Sequence, residues 1–541
     1  MTDISVAQQV VDALKELGVK HVFGVPSGGW VDYMEAIRTT EGIDFILATH
    51  EGGAAFMADV CGRITGAPGV CFGTFGPGAT NLATGVGSAY LDRSPMIALT
   101  DEMPEHKRGR IVQMAMDHQA LFAPITKKTT RLEAGKVREI LFDAAQEALS
   151  GVPGPVHVGL PVGMSAEKTT PQDIAPLPQI KIDNAGSEQL EKMQQLFTQA
   201  KKPVIVLGLR AALCGIQDEV KALAEKFNVP VVINPMAKGI LSESHPSYAG
   251  VLFHALSDVV GQTHQQADLV VSIGYDEVEF SYEDWMPDAP LVSLDIVTTE
   301  LDTQQYTLAC DVLGDIPHSV QQLLACDCGP KDWDLQALAA RRDDMFTRMS
   351  PQNDVFGPCA ALDTLREKFP QNGIMTCDVG AHIHLIGQKW PTPKVGLQIM
   401  TNGWSAMGFG IPSAIAAKLC NPETPVCSVV GDGGFLMTAG ELAVAVRENL
   451  SIVFVLFTDN DLALIRIKQE KKSNPIYGTP IRERGTIGGD NIFGVPVLKA
   501  FNQNEYGHAL EKAQAMGGPV IVEAILDSRE YDDLVLRKDR G

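Results

Sequence analysis

Short apolar runs bounded by glycine, proline or acidic residues recur along this chain, and most are separated by stretches whose apolar positions fall three and four residues apart. The first pattern predicts buried strands and the second amphipathic helices, so their alternation predicts an α/β fold of doubly wound parallel sheets. In the N-terminal part, residues 5–17 read as a helix and residues 21–26 as a strand ending in the turn Ser27-Gly28-Gly29. Residues 45–47, 69–73 and 155–161 read as further strands. A stretch rich in proline, aspartate and lysine, 169–187, reads as a linker. Strands predicted at 202–208, 229–233, 267–274 and 291–296 form a second unit, and a charged helix near 332–349 leads into a third. There the strands are 374–379, 427–430, 452–457 and 519–524, Gly431-Asp432-Gly433-Gly434 is a tight turn, and 441–447 is a helix. The three units span 1–170, 188–330 and 355–541, with no short internal repeat.

Length agrees with that division, since 541 residues exceed one ordinary core and suit about three domains. A formal net charge of −22 argues against a nucleic-acid partner and against an anionic membrane surface. The start Met1-Thr2-Asp3-Ile4-Ser5-Val6 has neither a basic nor an apolar leader region, and no run resembles a membrane span, so a cytoplasmic protein is expected. Cys326-Asp327-Cys328 is the only close pair among ten cysteines, so neither a zinc site nor a disulfide framework is expected.

Two acids stand out by position. Asp432 and Asp459, 27 positions apart, each follow an apolar strand and so lie at the sheet edge where parallel α/β folds bind ligands. Gly433 and Gly434 leave bare N–H groups at a helix start, which suits a phosphate. Two carboxylates beside such donors suit a hard cation that bridges to a diphosphate, because Mg²⁺ takes oxygen ligands and shares them with phosphate. The bland alternative is a solvated turn beside an unrelated acidic loop. Glu51, within Ala48-Thr49-His50-Glu51-Gly52-Gly53-Ala54-Ala55-Phe56-Met57-Ala58, sits at a strand-to-helix junction, where a lone glutamate ordinarily compensates the helix dipole.

Taken together, these strings resemble the signatures of thiamine-diphosphate (ThDP) enzymes of the decarboxylase and acetolactate-synthase group, and the resemblance covers nearly the whole chain. It implies that the three units are pyrimidine-binding, central and diphosphate-binding domains. It also implies that Glu51 contacts N1′ of the aminopyrimidine and serves proton removal through the cofactor. Gly28 and Gly29 would allow close backbone approach, and Gly76, Pro77 and Asn81 would line the pyrimidine side. The string Thr401-Asn402-Gly403-Trp404-Ser405-Ala406-Met407-Gly408-Phe409-Gly410 resembles the segment that crosses the cofactor, with Met407 as a wedge and Ser405 beside it. Ala381 and His382 would hold the diphosphate through main-chain groups, and Gly433 and Gly434 would donate N–H groups to it. Asp432, Asp459 and the carbonyl of Asp461 would hold Mg²⁺, with Leu462, Ala463, Leu464 and Ile465 following against the cofactor. In this family Glu51 of one subunit meets Asp432 of another, which implies a homodimer or homotetramer with the active site between two chains.

The central string Ser272-Ile273-Gly274-Tyr275-Asp276, with Trp285 downstream, is most similar to flavin-free catabolic acetolactate synthases. Leu207-Gly208-Leu209-Arg210 is a poor match to a dinucleotide fingerprint, so FAD is not expected. The implied function is ThDP- and Mg²⁺-dependent decarboxylation of a pyruvate-like 2-oxo acid, with carboligation to a second carbonyl. The alternatives are a simple decarboxylase releasing an aldehyde and a flavin-dependent oxidase of pyruvate-oxidase type. Gln113 and His118 are the candidate polar groups near the reaction centre, although Gln113 stands four residues before Asp117 rather than three, leaving Met114 in its slot. Phe75 stands where serine is usual, which predicts a more apolar pocket.

Overall fold

The computed structural model describes residues 3–178, 180–280, 288–299, 306–351, 355–483 and 485–535; Trp285 and residues 536–541 lie outside these. The first sheet has six parallel strands in the order Asp44–Leu47, His21–Gly24, Gly69–Gly73, Met96–Glu102, Pro155–Pro161 and Lys128–Arg131. The second is also six-stranded and parallel: Tyr248–Val251, Val231–Ile233, Pro203–Leu207, Leu269–Ile273, Leu291–Asp295 and Leu308–Leu313. The third runs Gln398–Ile399, Ile374–Cys377, Val426–Gly431, Ile452–Thr458, Val520–Ile525 and Val495–Ala500, with Asn491–Ile492 added antiparallel at the edge. Inner strands such as Gly69–Gly73, Leu269–Ile273 and Ile452–Thr458 are buried along their whole length, as expected where helices cover both faces.

One local expectation is corrected. Gly431-Asp432-Gly433-Gly434 is not a tight turn: the strand runs directly into the helix Asp432–Thr438. The glycines answer to their neighbours rather than to a turn. A Cβ at Gly434 would lie 2.1 Å from Asp378 Oδ2, and one at Gly433 would lie 2.8 Å from Leu462 Cδ2.

The helix Glu51–Thr65 joins the first unit to the third. The Gly52 N–H donates to the His50 side chain at its start (3.0 Å), and Gly66 ends it in the left-handed region at φ 72°. Its alanine-rich faces lie against the helix Gly410–Cys420, with the Phe56 and Phe409 rings edge-on at 5.6 Å. Phe23, Ala54 and Phe56 therefore share one apolar core with Phe409, Phe454 and Ile521. Close approach is possible because Gly53 carries no side chain: a Cβ there would meet Glu441 Oε1 at 2.4 Å. Instead the buried Glu441 carboxylate accepts the Thr49 and His50 N–H groups at 3.1 and 2.9 Å.

Candidate active site

Asp432 opens its helix at the end of one strand and Asp459 follows the next, so adjacent strands deliver two carboxylates to one edge. Asp432 accepts the Asn460 N–H at 2.8 Å, and Asp459 accepts the Asp461 N–H at 3.2 Å. Burial pushes Asp432 up to about 6. Burial, and then the neighbouring Asp432 charge, pushes Asp459 up to about 7. Asn460 takes the left-handed conformation (φ 62°), and its Oδ1 and Asp461 Oδ1 are buried without hydrogen-bond partners. Crowded carboxylates with orphaned oxygens beside them fit a hard cation, which would relieve both the repulsion and the unmet acceptors.

The loop after Asp459 is pinned from outside. Leu462 N–H donates to Thr479 at 3.0 Å and Ile481 N–H to Asn460 at 2.8 Å, so the segment around Thr479–Ile481 fixes the loop's shape. Ala463 begins the helix Ala463–Lys471, which carries Leu464 and Ile465.

Above this edge lies the crossing segment, held at each end by a buried carboxylate. Asp92 accepts the Asn402 and Gly403 N–H groups at 3.0 and 2.8 Å, and is itself bound by Arg63 at 2.8 Å. Asp378 accepts the Gly408 and Phe409 N–H groups at 2.9 and 3.2 Å. Between the clamps, Ser405 is exposed with φ 52°, and the Met407 Cε lies 3.1 Å from where a Gly433 Cβ would be. Ala381 is buried at the first position of the helix Ala381–Lys389. The His382 side chain, expected to be uninformative, is buried over the cradle: a Cβ at Gly380 or Gly431 would lie 2.8 or 3.2 Å from its Cε1. Its Nε2 has no partner, and burial pushes its pKa down to about 4.

The residues expected on the pyrimidine side gather on the first sheet. Glu51 is buried at the start of its helix and accepts from Asn81 Nδ2 at 2.9 Å, while its Oε1 lies 3.2 Å from where a Gly78 Cβ would be. Pro77 begins the helix Pro77–Leu91, and Gly76, in the left-handed region at φ 66°, donates its N–H to His118 Nε2 at 3.1 Å. The other ring nitrogen of His118 meets Thr100 Oγ1 at 3.0 Å, so both nitrogens are engaged within the first unit. Gln113 is exposed, and Met114 backs Gly76, whose Cβ would lie 2.9 Å from the Met114 carbonyl. Gly28 begins a short 3₁₀ turn, and a Cβ at Gly29 would lie 2.8 Å from Asp101 Oδ1. Asp101, at the end of Met96–Glu102, also accepts from Ser27 and Thr74, and burial pushes it up to about 6.

Two half-sites result. Asp432, Asp459, Gly433, Gly434, Met407 and Leu462 gather on the third sheet, and Glu51, Asn81, Gly76 and Pro77 on the first. A cavity of about 900 Å³ reaches Ser405, Leu464 and Ile465, and Glu51 is not among its lining residues. The sequence reading passed over Asp92, Asp101 and the Asp378 carboxylate. Asp101 and Asp378 carried the signal that picked out Asp432, an acid at the end of an apolar run; Asp92 carried none.

Residues 4–121 match the thiamine pyrophosphate enzyme N-terminal TPP-binding domain, 190–323 the central domain, and 378–524 the C-terminal TPP-binding domain. The chain is 32% identical to the acetolactate synthase large subunit of Lactococcus lactis subsp. lactis, over 97% of its own length and 93% of that protein's. It is 28% identical to an acetolactate synthase of Bacillus subtilis, covering 99% and 95% of the two. With a probable acetolactate synthase large subunit of Methanocaldococcus jannaschii it shares 30% identity over 97% and 92%.

Proposed function

Because the chain belongs to the thiamine-diphosphate enzymes akin to acetolactate synthases, we propose that it decarboxylates a pyruvate-like 2-oxo acid and joins the acyl fragment to a second carbonyl. The observation that carries this reading is the Asp432–Asp459 pair, the first buried and the second half-buried, beside Gly433, Gly434 and Met407. Asp432, Asp459 and the Asp461 carbonyl would hold Mg²⁺, and the Gly433 and Gly434 N–H groups would bind the diphosphate. Bound ThDP supplies a nucleophilic carbon and an electron sink for the pair released on decarboxylation. Glu51, oriented by Asn81, holds the proton at the aminopyrimidine N1′. Asp92 and Asp378 keep Met407 in place between the two half-sites.

Those half-sites meet when Glu51 of one chain faces Asp432 of a second, so a homodimer is the working unit and a tetramer its pairwise extension. Among the described residues no helix is long and apolar enough to cross a membrane, and a cytoplasmic location suits the acidic chain.

A flavin-free central domain is supported by its first strand-to-helix turn, where dinucleotide folds receive a phosphate. Glu279 fills that turn: it accepts the Leu209 and Asp276 N–H groups at 3.1 and 2.7 Å, and a Gly208 Cβ would lie 2.4 Å from its Oε2. Incubating the Mg²⁺- and ThDP-loaded protein with pyruvate and analysing the products tests the reading. Acetolactate or acetoin is expected; acetaldehyde alone would make it a simple decarboxylase, and a yellow protein with stoichiometric FAD would overturn the cofactor assignment.

A further inference from the structure

The 900 Å³ cavity beside the crossing segment is cationic in an otherwise acidic protein. Lys468, Lys471 and Lys472 line it, and no carboxylate appears among its described lining residues. A helix C-terminus attracts lysines through its dipole, which accounts for their presence but not for their isolation. Arg466 on the same helix is neutralised by Asp461, Glu470 and Asp532. The three lysines have no ion pair among the described residues.

The opposite wall is built rather than incidental. His254 is buried there, its ring close to the backbone of Ile383 and His384, and it fits only because residue 387 is glycine, where a Cβ would lie 2.6 Å from His254 Cγ. His384 stands beside it, ring centroids 5.4 Å apart. Burial pushes both rings down, His384 to about 4, so this wall adds no charge to set against the lysines. Along the helix, Leu464 and Ile465 line the same cavity, Lys468 follows about 6 Å beyond Leu464, and Lys471 about 10 Å.

We propose that this cavity binds the distal anionic group of the substrate, so that the preferred 2-oxo acid carries a second negative charge a few bonds beyond its carbonyl. The inference rests on the function proposed above and names the substrate class of that site. A terminal carboxylate, sulfonate or phosphonate all present the same chemistry: oxygen acceptors for lysine ammonium groups.

The test compares 2-oxoglutarate with its uncharged five-carbon counterpart 2-oxopentanoate, using the Mg²⁺- and ThDP-loaded protein. The kcat/KM ratio should favour 2-oxoglutarate by roughly tenfold or more, falling as salt is raised. The triple variant Lys468→Met, Lys471→Met, Lys472→Met should bring it to within about twofold of unity, and the corresponding triple Lys→Arg variant should retain it. A parent that prefers 2-oxopentanoate, or a Met variant that keeps the parent's ratio, overturns the proposal. Calorimetric binding of glutarate against pentanoate separates this inference from the reading beneath it. Preferential glutarate binding, lost in the Met variant, with no turnover of any 2-oxo acid would leave the anion site standing and defeat the proposed reaction. Equal binding of glutarate and pentanoate would defeat the anion site whatever the turnover.

Discussion

At the scale of single residues, the candidate site depends on acids withdrawn from solvent to different degrees. The Glu51 carboxylate accepts from Asn81 and makes no ion pair among the described residues, as the proton role proposed for it requires. Glu51→Gln keeps the shape and much of the ThDP affinity; exchange of the cofactor's C2 proton in the loaded protein should slow by about a hundredfold or more, as followed by NMR in D₂O. Asp101 makes a prediction about stability. Its folded pKa is raised from the ordinary carboxylate range to about 6, so its contribution is most favourable at low pH and is lost as pH rises from about 4 through 6. In Asp101→Asn that loss should be absent, and the fall in unfolding free energy between pH 4 and 7 should shrink by about 2–3 kcal/mol in urea titrations.

At the scale of elements, the crossing segment is an irregular stretch made rigid by two carboxylates. Asp92→Ala strips the Asn402 and Gly403 N–H groups of their acceptor and takes one carboxylate from Arg63. It should cost about 3–5 kcal/mol, seen as a lowered Tm, together with weakened ThDP binding. Many strands were legible in the sequence because apolar runs such as 69–73, 155–161 and 452–457 became buried strands, and the positions of Asp432 and Asp459 followed from ending such runs; Lys128–Arg131 and Val495–Ala500, with polar residues inside them, were passed over. Among the acids, what was not legible shares one cause. Asp92, Asp378 and Glu441 bind backbone N–H groups, which every residue but proline carries, so their partners leave no mark in the sequence. The Gly433–Gly434 pair misled for a related reason: a glycine required by a distant Asp378 side chain looks the same as one required by a turn.

At the scale of the whole molecule, the proposed pairing of Glu51 in one chain with Asp432 in a second can be tested directly. Glu51→Gln and Asp432→Asn should each be inactive as pure proteins. Mixing them under conditions that exchange subunits should restore about a quarter of parental activity, because half the dimers are then mixed and each carries one intact site. No recovery despite verified exchange would place the complete site within one chain. The clamp on the crossing segment also has a meaning for how the enzyme comes into being. Asp92 and Asn402 are 310 positions apart, so during synthesis at about 5–20 residues per second the acid waits roughly 15–60 s for the amides it will hold. Throughout that interval the growing polypeptide has a first sheet and its buried acids but nothing to place Met407. If Met407 plays the part proposed for it, activity can arrive only with the last third of the chain.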